Sequence, residues 1–387
     1  MPIIRRKALL LAKIETTLGT DSVPVAGTDA IKVEDFTFDP NVNLVQTNEV
    51  TPSLDMSAPI VGGMRARLTF SVLLKGSGAA ATAPEWGKLM RACAFEQVIT
   101  ATAVPAAPEA CAGGSTTSAT LGTTAVATAN AYRGMPLVIT GTPAGANGTY
   151  LITDYTAAKV ATLASTAGAA IAATNSYQIP VNVLYRPTSD NAQFQSLTFY
   201  LFRDGKRIRM TGSRGTVGLS IEAGGIGRLN FEFMGFFVDE TDVALPGNPV
   251  YDATLPPVWR SGRMLIQRSP AAVASFSMAA SVNMEMPGNP NLSEGFDYAV
   301  NVSRDMGGEI DPLDELVATY DTMQDFRLGT QRILLAQLGS SAGNRIACTI
   351  PSAQYRSLAD SDRNGLNSRR LGYKANGIDA GAFIALW

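Results

Sequence analysis

The 387-residue chain contains no histidine, and this absence excludes several kinds of functional site. Without histidine the chain forms neither a Ser-His-Asp nor a Cys-His nucleophile system, and no zinc site can use an imidazole ligand. Its three cysteines, Cys93, Cys111 and Cys348, are far apart and form no C-x-x-C pair. Such a scattered, odd-numbered set predicts reduced thiols that act as small hydrophobic residues, as in a chain that folds in cytoplasm.

Charged residues and long apolar runs are also scarce. Asp, Glu, Lys and Arg make up 17% of the chain, against about 25% in an average soluble protein. The net charge of -2 does not favour tight phosphate binding over a broad face, which requires a basic surface. No apolar run approaches the ~18 residues of a membrane span. The apolar run at 8–12 is shorter than the ~7–15 residues of a secretory signal, so neither membrane insertion nor export is predicted.

Glycine and proline are plentiful, with 36 and 21 residues, which favours many short strands and turns. At ~150 residues per domain, the length predicts two to three domains. Alternating apolar residues predict strands at 31–38 and 64–74, on either side of a loop at 39–64 that lacks periodicity. Residues 84–95 change to a helical period after Pro84, so one short amphipathic helix should pack on the sheet.

The composition changes between residues 101 and 180, where alanine, threonine and glycine dominate. Short strand-like runs separated by Gly- and Asn-rich turns predict a small all-β domain inserted into a larger one. The alternative is a low-complexity linker. Four tyrosines favour a folded domain: Tyr132, Tyr150, Tyr155 and Tyr177.

The second half repeats the order of elements in the first. Strands at 194–238, with a hairpin turn at Asp204-Gly205, are matched by hairpin strands at 332–338 and 345–350. Strands at 276–286 and 296–302 match the earlier pair, and a helix at 312–326 matches the one after Pro84. The run from Leu229 to Phe236 shares its spacing and residue classes with the run from Leu366 to Tyr373. The sequence therefore predicts a duplication. One unit comprises 1–100 and 181–250, the insert 101–180, and the other unit 258–387, after a Pro-rich linker at 246–257.

Three segments resemble the tail tube (major tail) protein of long, non-contractile-tailed bacteriophages. They are KIETTLGTD at 13–21, PEWGKLMRAC at 84–93, and the stretch from DG at 204–205 through TGSRGTV at 211–217, and the resemblance continues over 231–246. It implies a mainly β fold of duplicated β-sandwich or barrel units, each with a flanking short helix, plus the inserted all-β domain. It also implies a structural virion protein and not an enzyme, with no cofactor. The insert resembles decorating domains that face outward.

The resemblance also implies the partners. Copies of the chain form rings that stack into a hollow tube, assembled in the host bacterial cytoplasm, and the bore carries double-stranded DNA to the host. A duplicated subunit predicts trimeric rings with pseudo-sixfold symmetry, and hexameric rings are the alternative. Further expected partners are the tape measure protein, the tail terminator and the distal tail proteins. No membrane contact and no sequence-specific DNA binding are expected.

Candidate residues follow from these expectations. Glu222 and Glu232 alternate with apolar strand residues and are candidates for the lumen, where acidic groups let DNA slide; an ordinary solvent face or a cross-strand ion pair is the alternative. Loops 39–64 and 287–295 are expected to reach a neighbouring ring or to be ordinary surface loops. Residues 1–30 and 383–387 are candidate arms. The candidates for contacts between rings are Asn48, Glu49, Asp55, Met56, Asn289 and Asn291.

Other functions have weaker support. The glycine-rich run at 224–227 lies between strands, where a phosphate loop is not expected. Asp311, Asp314 and Glu315 are expected at a helix start, where acids complement the dipole. Carboxylates at Asp297, Asp305 and Glu309 show no spacing typical of glycoside hydrolysis. The alternatives are a ring-forming tail terminator, adaptor or baseplate protein, and a carbohydrate-binding β-sandwich that uses exposed tyrosines of the insert.

Overall fold

The computed structural model describes residues 3–34 and 36–387 of the chain. Strands make up 50% of the chain and helices 6%, so the expected mainly β fold is confirmed. Among the described residues the strands form a 17-stranded, a seven-stranded and a two-stranded sheet, and one of the sheets curls into a half-barrel. None of the helices in these ranges is long and apolar enough to cross a membrane.

The first strands bury alternate side chains on one face of the large sheet. In the strand over residues 60–73, Ala66, Leu68, Phe70 and Val72 are buried and the residues between them are less so, as in a half-buried strand. The elements are β1 (Ala8–Ile14), α1 (Ala26–Asp29), β2 (Ala30–Ile31), β3 (Phe36–Val45), β4 (Ile60–Leu73), α2 (Gly87–Ala92) and β5 (Phe95–Thr100).

The insert is a separate sheet. Its elements are β6 (Val104–Ala110), β7 (Gly113–Gly114), β8 (Ser118–Thr120), β9 (Pro136–Gly141), a 3₁₀ turn (Ala144–Ala146), β10 (Gly148–Tyr155), β11 (Val160–Leu163) and β12 (Asn175–Ile179). The strand order is β6-β12-β9-β10-β11-β8-β7, and these strands pair with one another. The segment is therefore folded and is not a low-complexity linker.

After the insert the chain returns to the large sheet. The elements are β13 (Asn182–Pro187), a 3₁₀ turn (Asn191–Gln193), β14 (Leu197–Arg203), β15 (Lys206–Glu222) and β16 (Arg228–Asp242). The expected hairpin turn at Asp204-Gly205 joins β14 to β15, and both residues have the positive φ that such a tight turn requires. Through β1, β2, β3 and β4 these strands form a first series in the order β2-β1-β14-β15-β16-β4-β3.

A second series has the same order of pairing. Its elements are β17 (Arg263–Ile266), β18 (Ser269–Pro270), β19 (Val273–Ala279), β20 (Val282–Glu285), β21 (Val300–Arg304), β22 (Gly307–Pro312), α3 (Thr322–Leu328), β23 (Gln331–Leu338), β24 (Ile346–Arg363), β25 (Leu366–Ala375) and β26 (Phe383–Leu386). The order is β18-β17-β23-β24-β25-β22-β19. Helix α3 lies between β22 and β23 in the chain, and α2 likewise lies between their counterparts β4 and β14.

The two series join directly at strand edges. The end of β15 extends beyond β14 and pairs with β19, Gly218 to Glu222 lying opposite Ala279 to Ser275. At another edge β26 pairs with both β13 and β24. The expectation that residues 383–387 form a free arm is therefore wrong, since β26 is buried between two strands and Trp387 is 4% exposed.

The expected N-terminal arm is largely part of the fold as well. β1 pairs with β14 along its whole length, and β2 pairs with β1. Met1 and Pro2 lie outside the described residues, and residues 3–7 are exposed.

The insert shares a hydrophobic core with the second series. Leu137, Leu151 and Tyr177 of the insert belong to the same buried cluster as Leu335 and Phe383 of the large sheet. The large sheet therefore has apolar residues on both faces at this point. One face packs into the main core and the other is covered by the insert.

The helix expected at 312–326 lies later, at Thr322–Leu328, and its predicted start was wrong. Asp311 lies in β22, and Asp314 pairs with Arg369 of β25 at 3.1 Å. Residues 311–314 are therefore extended along the sheet and not helical. The helix begins after Asp321, whose side chain accepts a hydrogen bond from the backbone N–H of Gln324 at 2.8 Å. The expected helix at 84–95 is present but covers Gly87–Ala92.

The eight-residue match between the halves does not occupy equivalent positions. Leu229 is 0% exposed and Leu366 58%. Two cross-strand rows define the equivalence: Phe36, Phe70 and Phe231 in the first series, and Phe276, Ile310 and Leu371 in the second. The rows make Phe231 equivalent to Leu371, which differs by three residues from the alignment that the eight-residue match gives. The order of elements, and not that match, therefore relates the two halves.

Candidate functional site

One face of the joined sheet is polar and open, and it is called the polar face here. It consists of the side chains that alternate with the core on the ends of β15, β16, β4 and β3 and on the neighbouring strands of the second series. Its centre is a shallow depression of about 470 Å³. The lining residues include Glu34, Thr37, Thr69, Ser71, Thr216, Asn230 and Glu232.

Both lumen candidates lie on the polar face. Glu222 is exposed near the end of β15, opposite Ser275 of β19. Glu232 contacts Arg67 of the adjacent strand β4 at 2.7 Å, so it forms the cross-strand ion pair that was the alternative interpretation. The hydrogen bond to Glu232 raises the pKa of the Arg67 guanidinium. A position in the lumen stays a prediction for both glutamates.

The charges of the polar face are paired across strands. Arg228 lies 2.8 Å from Glu34, which raises the pKa of that arginine through the hydrogen bond. In the second series Arg370 lies 2.5 Å from Glu309. Arg363 lies 3.1 Å from Asp311. Because each of these four arginines, Arg67 included, has an acidic neighbour, this part of the face has polar groups without a concentrated field of one sign.

Arg207, Arg209, Arg214 and Arg228 lie close together in the sequence, and the fold gives them separate partners. Arg209 donates to both carboxylate oxygens of Asp239 at 2.6 Å and also to Asp21 at 3.0 Å, and the bonds to Asp239 raise its pKa. Arg207 lies over the ring of Tyr200. Burial lowers the pKa of Arg214. These arginines are therefore paired with acids or packed on other side chains and do not form a group of free cations that could clamp DNA.

A long hairpin protrudes from the first series, and it is called the first arm here. It comprises the ends of β3 and β4 with the loop at 46–59, so the unstructured region is shorter than the predicted loop at 39–64. The arm exposes many large apolar side chains, of which Leu44 is 57% exposed and Leu54 fully so. The set is Val42, Leu44, Val45, Val50, Leu54, Met56, Ile60 and Val61.

Such an apolar patch on a protruding hairpin is typical of an interaction surface. Asn48, Glu49, Asp55 and Met56, four of the candidates for contacts between rings, lie exposed at its tip. The alternation that could have revealed the strands is short, at Val42, Leu44 and Ile60-Val61, which explains why the sequence was interpreted as a loop.

The other candidate loop is held by the chain itself. Gly63 lies so close to residues 294–296 that a Cβ would overlap the carbonyl oxygen of Glu294, whose side chain accepts a hydrogen bond from the N–H of Met64 at 2.8 Å. Within this loop Asn289 is half-buried and donates to Asp297 at 3.3 Å, while Asn291 is exposed. The two candidate loops therefore differ, one being free and the other packed on the first series.

The carboxylates weighed for catalysis are not gathered into one site. Asp305 forms ion pairs with Arg356 and Lys374, both at 2.9 Å, and these bonds lower its pKa. Asp297 follows the packed loop and accepts a hydrogen bond from its Asn289, and Glu309 lies on the polar face. Within residues 3–34 and 36–387, no group of three acidic or cysteine side chains is arranged to hold a metal ion.

The tyrosines of the insert are buried, contrary to the expectation of exposed rings. Tyr177 is 0% exposed, and its hydroxyl donates to Glu109 at 2.8 Å. Tyr132 and Tyr155 pack edge to face with their ring centroids 5.0 Å apart. The expectation of exposed tyrosines, on which the carbohydrate-binding alternative rested, was therefore wrong.

No family model matches the chain, and a search of curated proteins finds no match either. The candidate surfaces, which are the polar face and the first arm, consequently rest on geometry.

Proposed function

We propose that the chain is a tail tube protein of a long, non-contractile-tailed bacteriophage, forming stacked rings whose bore carries DNA. One observation carries the proposal. The same order of strand pairing occurs twice, and the two series are joined edge to edge through β15 and β19. We regard the series as duplicated tail-tube units, in which one chain already contains one of the contacts that a ring repeats.

The polar face is the proposed lining of the bore. A surface that many phosphates pass must not hold them, because each contact with a free cation adds salt-dependent affinity. The paired charges around Arg67, Arg228 and Arg370 meet this requirement. Glu222 and Glu232 are proposed to face the DNA.

The proposed ring has three chains and hence six units, with six chains as the alternative. Head-to-tail contacts that close after a fixed rotation give such rings. The tip of the first arm, including Asn48, Glu49, Asp55 and Met56, is proposed to contact the next ring. A tape measure protein in the bore and terminator and distal tail proteins at the ends are the partners this role requires, and the location is the virion.

Electron microscopy of the purified protein at high concentration tests the proposal. Long hollow tubes of stacked rings are expected, and end-on classes give the number of chains in each ring. Single closed rings that never stack would favour the tail terminator or adaptor instead. Protein that stays monomeric at high concentration, and also when added to preformed tube fragments, would contradict the proposal.

A further inference from the structure

The contact between the two series inside one chain has a strand part and an arm part. In the strand part, Ser220 of β15 lies opposite Ser277 of β19, and the polar face continues across the junction. Antiparallel pairing of this kind satisfies backbone groups that an edge strand leaves open.

In the arm part, residues 280–306 of the second series lie across the first. They are called the second arm and include β20, β21 and the packed loop. The N–H of Val282 donates to the hydroxyl of Thr216 at 3.0 Å. Arg304 donates to the carbonyl oxygens of Ala94, beyond the end of α2, and of Thr188, at 3.2 and 2.9 Å.

The internal junction pairs β15 with β19. Their counterparts, β24 and β3, each have an edge that no other strand of the described residues pairs with. β24 is equivalent to β15, and its final residues pair with β25 on one side, while no described strand pairs with the other. β3 is equivalent to β19; beyond Phe36 it pairs with β4 and with no other described strand, while the carbonyl oxygen of Phe36 accepts a hydrogen bond from Arg203 at 2.6 Å. One chain thus has one satisfied junction and the two halves of a second.

Apolar surface is exposed on the matching sides of this second junction. The first arm, equivalent to the second arm, exposes the eight apolar residues given above. The region of α3, equivalent to α2, also exposes apolar side chains, among them Leu316, Val317, Met323 and Leu328. Within the chain, the second arm covers the region beside α2. By the equivalence of the two series, the exposed region of α3 should be covered by a first arm.

We propose that the first arm of one copy binds the second series of another copy of this chain, with β3 pairing to the open edge of β24. The proposal rests on the proposed ring assembly and specifies the contact between neighbouring copies within one ring, which uses β3 and the base of the arm, while the tip of the arm remains for the next ring. The equivalent cross-strand rows of the two series, described above, set the register of β3 against β24. Ser220 corresponds to Ser361 and Ser277 to Thr37, so Ser361 of one copy lies opposite Thr37 of the next.

The contact between copies differs from the internal one in polarity. Asp360 and Asp362 occupy the positions that Leu219 and Ile221 occupy in β15. Arg203 lies 4.5 Å from the centre of the Phe36 ring and supplies a positive charge on the β3 side, where Asp362 is to pack. The contact between copies is therefore more polar than the buried internal junction, and added salt should weaken it.

Engineered disulfides test the register. The three native cysteines are buried and do not interfere. A variant with Thr37→Cys and Ser361→Cys is expected to give a ladder of covalent oligomers on a non-reducing gel after mild oxidation, since facing residues in paired strands lie within disulfide range. Ser220→Cys with Ser277→Cys is the matched internal control and should give a cross-link without a change in mass.

A third variant, Thr69→Cys with Ser361→Cys, places one thiol on the polar face away from the edge and should give no ladder. Rings or tubes in the microscope without a ladder from the Thr37/Ser361 pair would overturn this contact and leave the proposed function standing. A monomeric chain that neither assembles nor cross-links would contradict the proposed function and this contact together.

A second measurement tests the arm. Leu44→Lys replaces an exposed side chain, so the variant should fold, and it is expected to raise the concentration needed for assembly at least tenfold in light scattering. Val126→Lys, on the exposed surface of the insert, is the matched control and should assemble like the unchanged chain. Equal assembly of both variants would overturn the proposed role of the arm.

Discussion

At the scale of single residues, Glu15 shows how a buried charge organises the edge of the fold. It is 5% exposed, and its carboxylate accepts four hydrogen bonds. The donors are the backbone N–H groups of Gly19 and Gly212, at 2.8 and 2.7 Å, and the hydroxyls of Ser196 and Thr198, at 2.7 and 2.9 Å. Charge-assisted bonds of this kind offset the cost of removing a carboxylate from water. Glu15 therefore fixes residues 15–19 against β14 and β15.

We expect Glu15→Ala to lower the free energy of unfolding by about 3–5 kcal/mol, because four donors lose their acceptor in a buried site. Denaturant unfolding followed by tryptophan fluorescence measures the change. Glu222→Ala, at an exposed site, is the control and should stay within about 0.5 kcal/mol. Equal effects of the two substitutions would contradict the role given to Glu15.

Glu109 gives the insert a pH dependence. Its carboxylate accepts hydrogen bonds from the hydroxyls of Thr123 and Tyr177, at 2.6 and 2.8 Å. These bonds lower its pKa to about 2. The unfolded chain has a glutamate pKa of about 4.3, so the folded insert binds fewer protons between these values. Its stabilising contribution is therefore complete above about pH 4.3 and is lost as the pH falls toward 2.

Carboxyl-carbon NMR titration measures the pKa of Glu109 directly. In Thr123→Val the pKa should rise toward the ordinary value, since the Thr123 hydroxyl is the largest cause of the shift. Thr128→Val, on the exposed surface of the insert, should leave it unchanged. A midpoint near 4 in the unchanged protein would contradict the prediction.

At the scale of elements, the insert stabilises the second series. Its core includes Leu265, Ile333 and Leu335 of β17 and β23, which face away from the main core. Burying a large apolar side chain contributes about 1.5–3 kcal/mol. The insert is thus packed as a cover on a two-sided sheet, even if its outer surface faces outward in an assembly.

Removing residues 103–180 and joining the ends of β5 and β13 with a short Gly-Ser turn should expose this apolar face. We expect the shortened chain to bind a hydrophobic dye and to elute as aggregates in size-exclusion chromatography. Adding Leu265→Thr, Ile333→Thr and Leu335→Thr to the deletion should restore a monodisperse protein. A stable, monodisperse deletion without these substitutions would show that the insert is an independent appendage.

At the scale of the whole molecule, the pairing of charges governs how the polar face meets a polyanion. Arg67 is held by Glu232 at 2.7 Å and is not free to bind phosphate. Non-specific DNA binding depends on the number of phosphates that free cations neutralise, and its salt dependence reports that number. The unchanged protein should therefore bind DNA weakly and with little salt dependence.

Glu232→Gln should raise the affinity for a short DNA duplex by about tenfold at low salt and steepen the logarithmic salt dependence by about one unit, because one arginine is released. Fluorescence anisotropy at two salt concentrations measures both effects. Glu96→Gln, which releases Arg186 from a 3.0 Å pair away from the polar face, is the matched control. The same gain in both variants would argue against the polar face as the DNA-facing surface.

Much of the local structure can be predicted from the amino-acid sequence. Alternation identified the mainly β character and several of the long strands, the Asp204-Gly205 dipeptide fixed one hairpin, and a change in composition marked the insert. It misplaced the helix near α3, because the acidic side chains at 311 and 314 pair with Arg363 and Arg369, which follow about fifty residues later.

Which strand edges meet and which faces are covered follows only from the three-dimensional fold. The pairing of β15 with β19, the packing of the insert on β23 and the burial of β26 all join segments distant in the chain. Backbone hydrogen bonds between edges use the same groups at every residue, so they leave no pattern in the side chains. Alternation tells that one face of a strand is apolar, but the neighbour that covers it is set by the whole fold.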